Sequence, residues 1–160
     1  MMGVNSFNWI TWIPLRVNCF VWRMKLNRIP LTDNFVYRGI HISSLVCKLC
    51  NREDEAREHV FYTYDYAKEV WKWFGEWAGL LNWEIKNFDM MSDYVWVLNS
   101  SKKNKKLLNS LCYTVLWFIW KERNERNFGS RVRKPLQLAD DIQLASFNWV
   151  KNRDRMRELT

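Results

Sequence analysis

Cys47-Lys48-Leu49-Cys50, with His59 nine residues beyond, constrains this chain more than any other stretch. Two thiols separated by two residues, and then an imidazole, are the donor types and spacing that suit tetrahedral zinc. Residues 47–59 must then return to one point in space, where a metal would replace hydrophobic core. On the zinc-finger pattern a fourth ligand follows the histidine after about three to five residues. The window from 62 to 65 holds Tyr62, Thr63, Tyr64 and Asp65, with neither cysteine nor histidine.

Outside this loop the apolar residues recur at helical spacing. Val17, Phe20, Val21 and Met24 fall at i, i+3, i+4 and i+7, the stripe of an amphipathic helix, which Pro14 precedes and Asn27–Pro30 ends. Thr32 is the expected N-cap of a short helix through Phe35, Val36 and Tyr37, stopping near Gly39. Asp65 is the expected cap of a third helix, with Ala67, Val70, Trp71, Phe74, Trp77 and Ala78 on one face. A short helix is placed around Phe88–Val97. From Leu107 to Phe128 the face is Leu108, Leu111, Cys112, Val115, Phe118 and Ile119, and Gly129 is the stop. Pro135 opens a last helix in which Leu138, Ile142, Ala145 and Trp149 share a face, and its tail from Lys151 to Thr160 is expected to fray.

Only 5 Gly and 3 Pro punctuate the chain, and no alternating pattern of useful length is present, so strands are not expected. The fold read from these patterns is all-α. A small helical domain surrounds the Cys/His loop over residues 1–80, a linker with a short helix covers 81–106, and a helical extension covers 107–160. The 11 Trp, 9 Phe and 6 Tyr supply the apolar area that disordered chains lack. Most of the tryptophans, including Trp22, Trp71 and Trp117, are expected in the core.

The net charge of +8 is uneven. Lys102, Lys103, Lys105, Lys106, Arg131 and Arg133 are the candidate contacts to nucleic-acid phosphates, with Arg123 and Arg126 nearby on the long helix. An exposed tryptophan would then stack on a base. Glu53-Asp54-Glu55 reads as an acidic loop beside the cysteines. The competing reading is that these charges solvate loops and helix faces. Residues 1–7 have neither a basic n-region nor an apolar h-region, so the expectation is an intracellular protein, in nucleus or cytoplasm, with free thiols. Cys19 and Cys112 read as ordinary buried residues. The apolar run from Leu111 to Trp120 is too short to span a bilayer.

The order of the segments adds a resemblance. Residues 12–23, Trp-Ile-Pro-Leu-Arg-Val-Asn-Cys-Phe-Val-Trp-Arg, resemble the opening of the reverse transcriptase zinc-binding domain of plant non-LTR retroelements. That family opens with a Trp, a Pro, a basic residue and a Phe-x-Trp-Arg helix. Residues 27–34, Asn-Arg-Ile-Pro-Leu-Thr-Asp-Asn, are similar to its second segment, and Arg38-Gly39-Ile40 to its third. Cys47 and Cys50, then Glu58-His59-Val60-Phe61, then Ala67 through Trp71 follow in the family's order and spacing. The resemblance covers roughly residues 9–75. Downstream, residues 116–124 resemble the Trp-x-x-Trp-Lys-x-Arg-Asn helix that lies between the zinc-binding region and an RNase H-like domain in these elements.

The resemblance implies zinc held by Cys47, Cys50, His59 and a cysteine five residues after the histidine. Here that position is Tyr64. A neutral phenol is a poor zinc ligand. Three outcomes stay open: a dead site, a site completed by Asp65 or His41, or a site of three ligands and water that binds zinc weakly.

Catalytic readings fare poorly. An open fourth position is what catalytic zinc has, and Glu58 adjoins His59, but no His-Glu-x-x-His signature is present. Asp140-Asp141 superficially matches the paired acids of a polymerase metal site, without its aromatic residue, and lies where acids favour a helix's positive end. The expectation is a non-catalytic zinc-binding-type module, a fragment of a retroelement reverse transcriptase that associates with nucleic acid or supports a polymerase. The alternative is a structural or protein-interaction helical module from a decayed element with a non-functional metal site. Expected partners are nucleic acid and a parent polymerase domain, without membrane or small-molecule substrate.

Overall fold

A computed structural model describes the backbone of residues 7–158 and side chains through Arg153. The N-terminal residues 1–6, read above for a leader, and residues 159–160 of the expected fraying tail lie outside the described residues. Among the described residues six α-helices run in order: α1 (Leu15–Lys25), α2 (Thr32–Tyr37), α3 (Asp65–Trp77), α4 (Phe88–Val97), α5 (Lys102–Phe128) and α6 (Pro135–Glu158). A π-helical turn, His59–Thr63, precedes α3. The fold is all-α; among the described residues the β-type pairing is an isolated bridge between Val46 and Asp54.

The long helix α5 is the hub, touched by α1, α3, α4, α6 and the π-turn, while α6 also lies along α3. The predicted stripes make the core: Val17, Val21 and Met24 from α1, Val70 and Phe74 from α3, Cys112, Val115 and Leu116 from α5, and Leu138 and Ile142 from α6 are all buried. Each fully buried side chain of this size contributes roughly 1.5–3 kcal/mol. Phe20 joins this core to the metal loop, its ring lying 5.9 Å from that of Phe61 and 5.6 Å from that of Trp120. Helix α4 takes the expected bounds.

The helix starts differ from expectation. Thr32 makes no side-chain cap. Its own N–H donates to the Glu55 carboxylate at 3.3 Å, and the Asp33 N–H donates to the Glu55 carbonyl at 3.4 Å, so α2 is capped from a distant loop. Asp65 is the first residue of α3 rather than its side-chain cap, and its carboxylate is held by Arg52 at 3.1 Å. Helix α5 begins at Lys102, five residues before Leu107, because the Ser101 hydroxyl accepts the Asn104 N–H at 3.1 Å. The lysine run is therefore helix. Helix α2 exposes Val36 and Tyr37 and buries Asn34, whose amide donates to the Ile29 carbonyl at 2.9 Å. Trp71 is buried as expected, Trp117 partly so, but Trp22 is exposed. Cys112 is buried and Cys19 only partly. No described helix is long and apolar enough to cross a membrane.

Candidate metal centre

The loop that carries the cysteines is folded by its own backbone. The Cys47 N–H donates to the Glu53 carbonyl at 2.7 Å, and the Glu55 N–H donates to the Leu45 carbonyl at 2.9 Å. Between them the Asn51 N–H returns to the Cys47 carbonyl at 2.8 Å, with Asn51 at φ 54°, a left-handed conformation that asparagine tolerates better than most residues. This turn sets both thiols on one side.

His59 arrives from the π-turn. The Tyr64 N–H donates to the His59 carbonyl at 2.7 Å, an i→i+5 bond that inserts one residue into the turn. Val60, Phe61 and Tyr62 then enter the core, and the Trp71 indole N–H fixes the Phe61 carbonyl at 2.7 Å. His59 itself reaches the cysteines: its Nε2 lies 3.4 Å from Cys50 Sγ. The ligand atoms of Cys47, Cys50 and His59 all lie within 4.8 Å of one another. Tetrahedral zinc with bonds of 2.0–2.3 Å separates neighbouring sulfur and nitrogen ligands by about 3.6 Å. The two thiols and the imidazole fit three corners of such a site.

The surroundings support this donor set. Glu53 Oε2 sits 3.2 Å from His59 Nδ1, close but not aligned as a hydrogen bond, and Nδ1 is otherwise buried without a partner. A carboxylate that accepted a hydrogen bond from Nδ1 would leave Nε2 to face a metal. Burial pushes the Cys47 thiol up. Desolvation pushes Cys50 the same way, but the backbone N–H groups of Glu53 and Arg52 outweigh it and lower that thiol.

The fourth corner has no strong donor. Tyr64 packs its ring 5.5 Å from the imidazole and donates its hydroxyl to the Leu49 carbonyl at 3.4 Å. Burial raises its phenol further, so it stays neutral. Asp65 is turned to Arg52, and His41 is exposed; neither belongs to the clustered donors.

Residues 2–71 match the family model described as zinc-binding in reverse transcriptase. The match supports a reverse transcriptase zinc-binding domain over this part of the chain, and it covers all three clustered donors together with Tyr64. No curated protein and no solved structure matches the chain. The donor set could hold a metal ion, which would clamp the cysteine loop to the π-turn.

Sequence reasoning missed the residue that anchors the domain's loop to the rest of the protein. Glu55 is 2% exposed, and its carboxylate pairs with the guanidinium of Arg123, which is 7% exposed. In sequence Glu55 is indistinguishable from its acidic neighbours Glu53 and Asp54, and no spacing singles it out. Arg123 is thereby removed from the candidate phosphate contacts. Arg126 is removed too: it bonds Glu122 at 2.9 Å and lies over the Tyr66 ring. Arg133 pairs with Asp141 at 3.3 Å, while Arg131, Lys102 and Lys103 are exposed. Lys105 donates to the Trp96 carbonyl at 2.7 Å, and Lys106 lies over the Trp12 ring.

Proposed function

We propose that this chain is a non-catalytic, zinc-binding-type module of a plant non-LTR retroelement reverse transcriptase, acting inside the cell by associating with nucleic acid or supporting a neighbouring polymerase. The observation that carries the reading is the convergence of Cys47, Cys50 and His59 within the stretch matched by the family model. The exposed lysines at the start of α5 add the charge that phosphate contacts need. Asp140 and Asp141 lie inside α6, with Asp141 committed to Arg133, which favours a structural role for that acidic pair. When bound, zinc would supply a cross-link; the protein's own residues position the thiols, turn the imidazole and exclude water.

Two measurements test this. Purified protein should retain close to one equivalent of zinc and lose thermal stability on chelation. It should also bind single-stranded oligonucleotides with an affinity that falls steeply with salt. Protein that takes up no zinc would favour the second reading, a helical module from a decayed element. The Tyr64 hydroxyl, engaged with the Leu49 carbonyl where the family has a thiol, supports that reading.

A further inference from the structure

A cavity of about 410 Å³ lies between the segment before α1, helix α4 and the first turns of α5, away from the metal donors. Four lysines line it, Lys25, Lys102, Lys105 and Lys106, against a single carboxylate, Asp93. Its inner wall is aromatic, with Phe88 and Tyr113 buried. At its rim stand Trp9 and Trp96, 49% and 55% exposed; no described ring stacks on Trp96, and Lys105 Nζ lies over one face of it, 5.9 Å from the ring centre, leaving the other face to a base. The first turn of α5 carries no acid to balance its lysines.

We infer that this cleft binds single-stranded nucleic acid, with a base stacked on Trp96 and its flanking phosphates on Lys102 and Lys106. Exposed indoles beside ammonium groups are the two elements of sequence-tolerant single-strand binding: every base has a π-face, and every linkage carries a charge. Lys102, Lys105 and Lys106 against Asp93 give the lining an excess of positive charge, which matches a polyanion rather than an apolar peptide. The concavity admits a splayed-out nucleotide, whereas duplex bases keep their faces inside the stack. Lys105 serves the site indirectly, because its bond to the Trp96 carbonyl ties the end of α4 to the start of α5. The inference rests on the nucleic-acid reading above and gives it a location.

The test is fluorescence anisotropy of the 160-residue chain with labelled ten-nucleotide oligo-dT and oligo-U, at low salt and across a salt titration. Trp96→Ala should weaken binding about fivefold to a hundredfold, the loss of one stacking platform, and Trp96→Phe should restore most of it. Trp73→Ala removes an exposed indole on α3 outside the cleft and should change nothing. Lys102→Glu should weaken binding and flatten the salt slope by about 0.7 per contact removed. Lys103→Glu, on the same lysine run but outside the cleft lining, should do much less. Circular dichroism confirms that each variant is folded. If wild type binds and Trp96→Ala and Lys102→Glu bind equally well, the cleft is the wrong place and the nucleic-acid reading stands. If wild type binds neither oligomer at low salt, both readings fall. The two oligomers separate a DNA from an RNA preference.

Discussion

Removing Glu55 should destabilise this protein more than any other single charge change. Its carboxylate holds the guanidinium of Arg123 on α5 and the first N–H of α2 at Thr32, while its backbone N–H ties down the loop of Cys47 and Cys50. Arg123 is nearly fully buried, so Glu55→Ala strands a cation in the interior, which costs about 3–5 kcal/mol. The orphaned Thr32 N–H adds about 1 kcal/mol. The sum of about 4–6 kcal/mol lowers the melting temperature of a domain of this size by about 8–24 °C. Thermal unfolding followed by circular dichroism reads this directly. Arg52→Ala breaks the largely exposed pair with Asp65 and is the control, with an expected cost below about 1 kcal/mol. Replacing both partners, Glu55→Leu with Arg123→Met, should recover most of the loss, since well-packed apolar substitutes of buried pairs are often neutral. If Glu55→Ala costs no more than Arg52→Ala, the pair is solvated in solution and its anchoring role is wrong.

Three further outcomes are expected. Tyr64→Cys restores the donor type that the family resemblance places there; if four ligands share the roughly 10–16 kcal/mol of structural zinc equally, affinity should rise about a hundredfold to a thousandfold in competition with a chromogenic chelator, and an unchanged affinity means that position 64 does not reach the metal. Burial, followed by repulsion from Glu58 and Glu55, raises the Asp33 carboxyl above the usual aspartate range. The fold therefore binds that proton more tightly than the unfolded chain does, which weakens it at neutral pH and relieves it in acid. Asp33→Asn should accordingly melt higher than wild type at pH 7, with the difference shrinking as pH falls through the carboxylate range. Gly75→Ala should destabilise by about 1–3 kcal/mol in urea unfolding, because an added Cβ would stand 2.7 Å from the Trp83 ring in a packed aromatic cluster.

The helices were legible in the sequence because each buries one stripe, and a stripe is a local pattern. The periodicity of α1, α3, α5 and α6 points to most of the residues that are buried, although Trp77 at the end of the α3 stripe is exposed and Leu111, Ala145 and Trp149 are only partly covered. The metal donors were legible for a similar reason: Cys47 and Cys50 are close in sequence and chemically distinctive. What sequence hid is what depends on distant partners. The cap of α2 comes from Glu55, 23 residues away, so Thr32 looked like the cap. Arg123 looked like a surface cation because its partner lies 68 residues earlier. Trp22 and Trp96 look alike as apolar residues on helices, and only the packing of whole helices leaves both open to solvent. The π-turn is equally invisible, since the extra residue that swings His59 toward Cys50 leaves no compositional mark.

Helix α5 also works as a spacer. Arg123, against which the metal loop is anchored, stands 18 residues from Lys105 at the cleft, about 27 Å along the axis at 1.5 Å per residue. That separation is more than three Debye lengths at physiological ionic strength. Along this axis the charge on a metal is screened long before it reaches the lysines, and a phosphate among the lysines is equally unfelt by the thiols. The two ends can therefore change independently: a substitution at position 64 would alter the metal chemistry while the electrostatic field of the opposite end is left as it was.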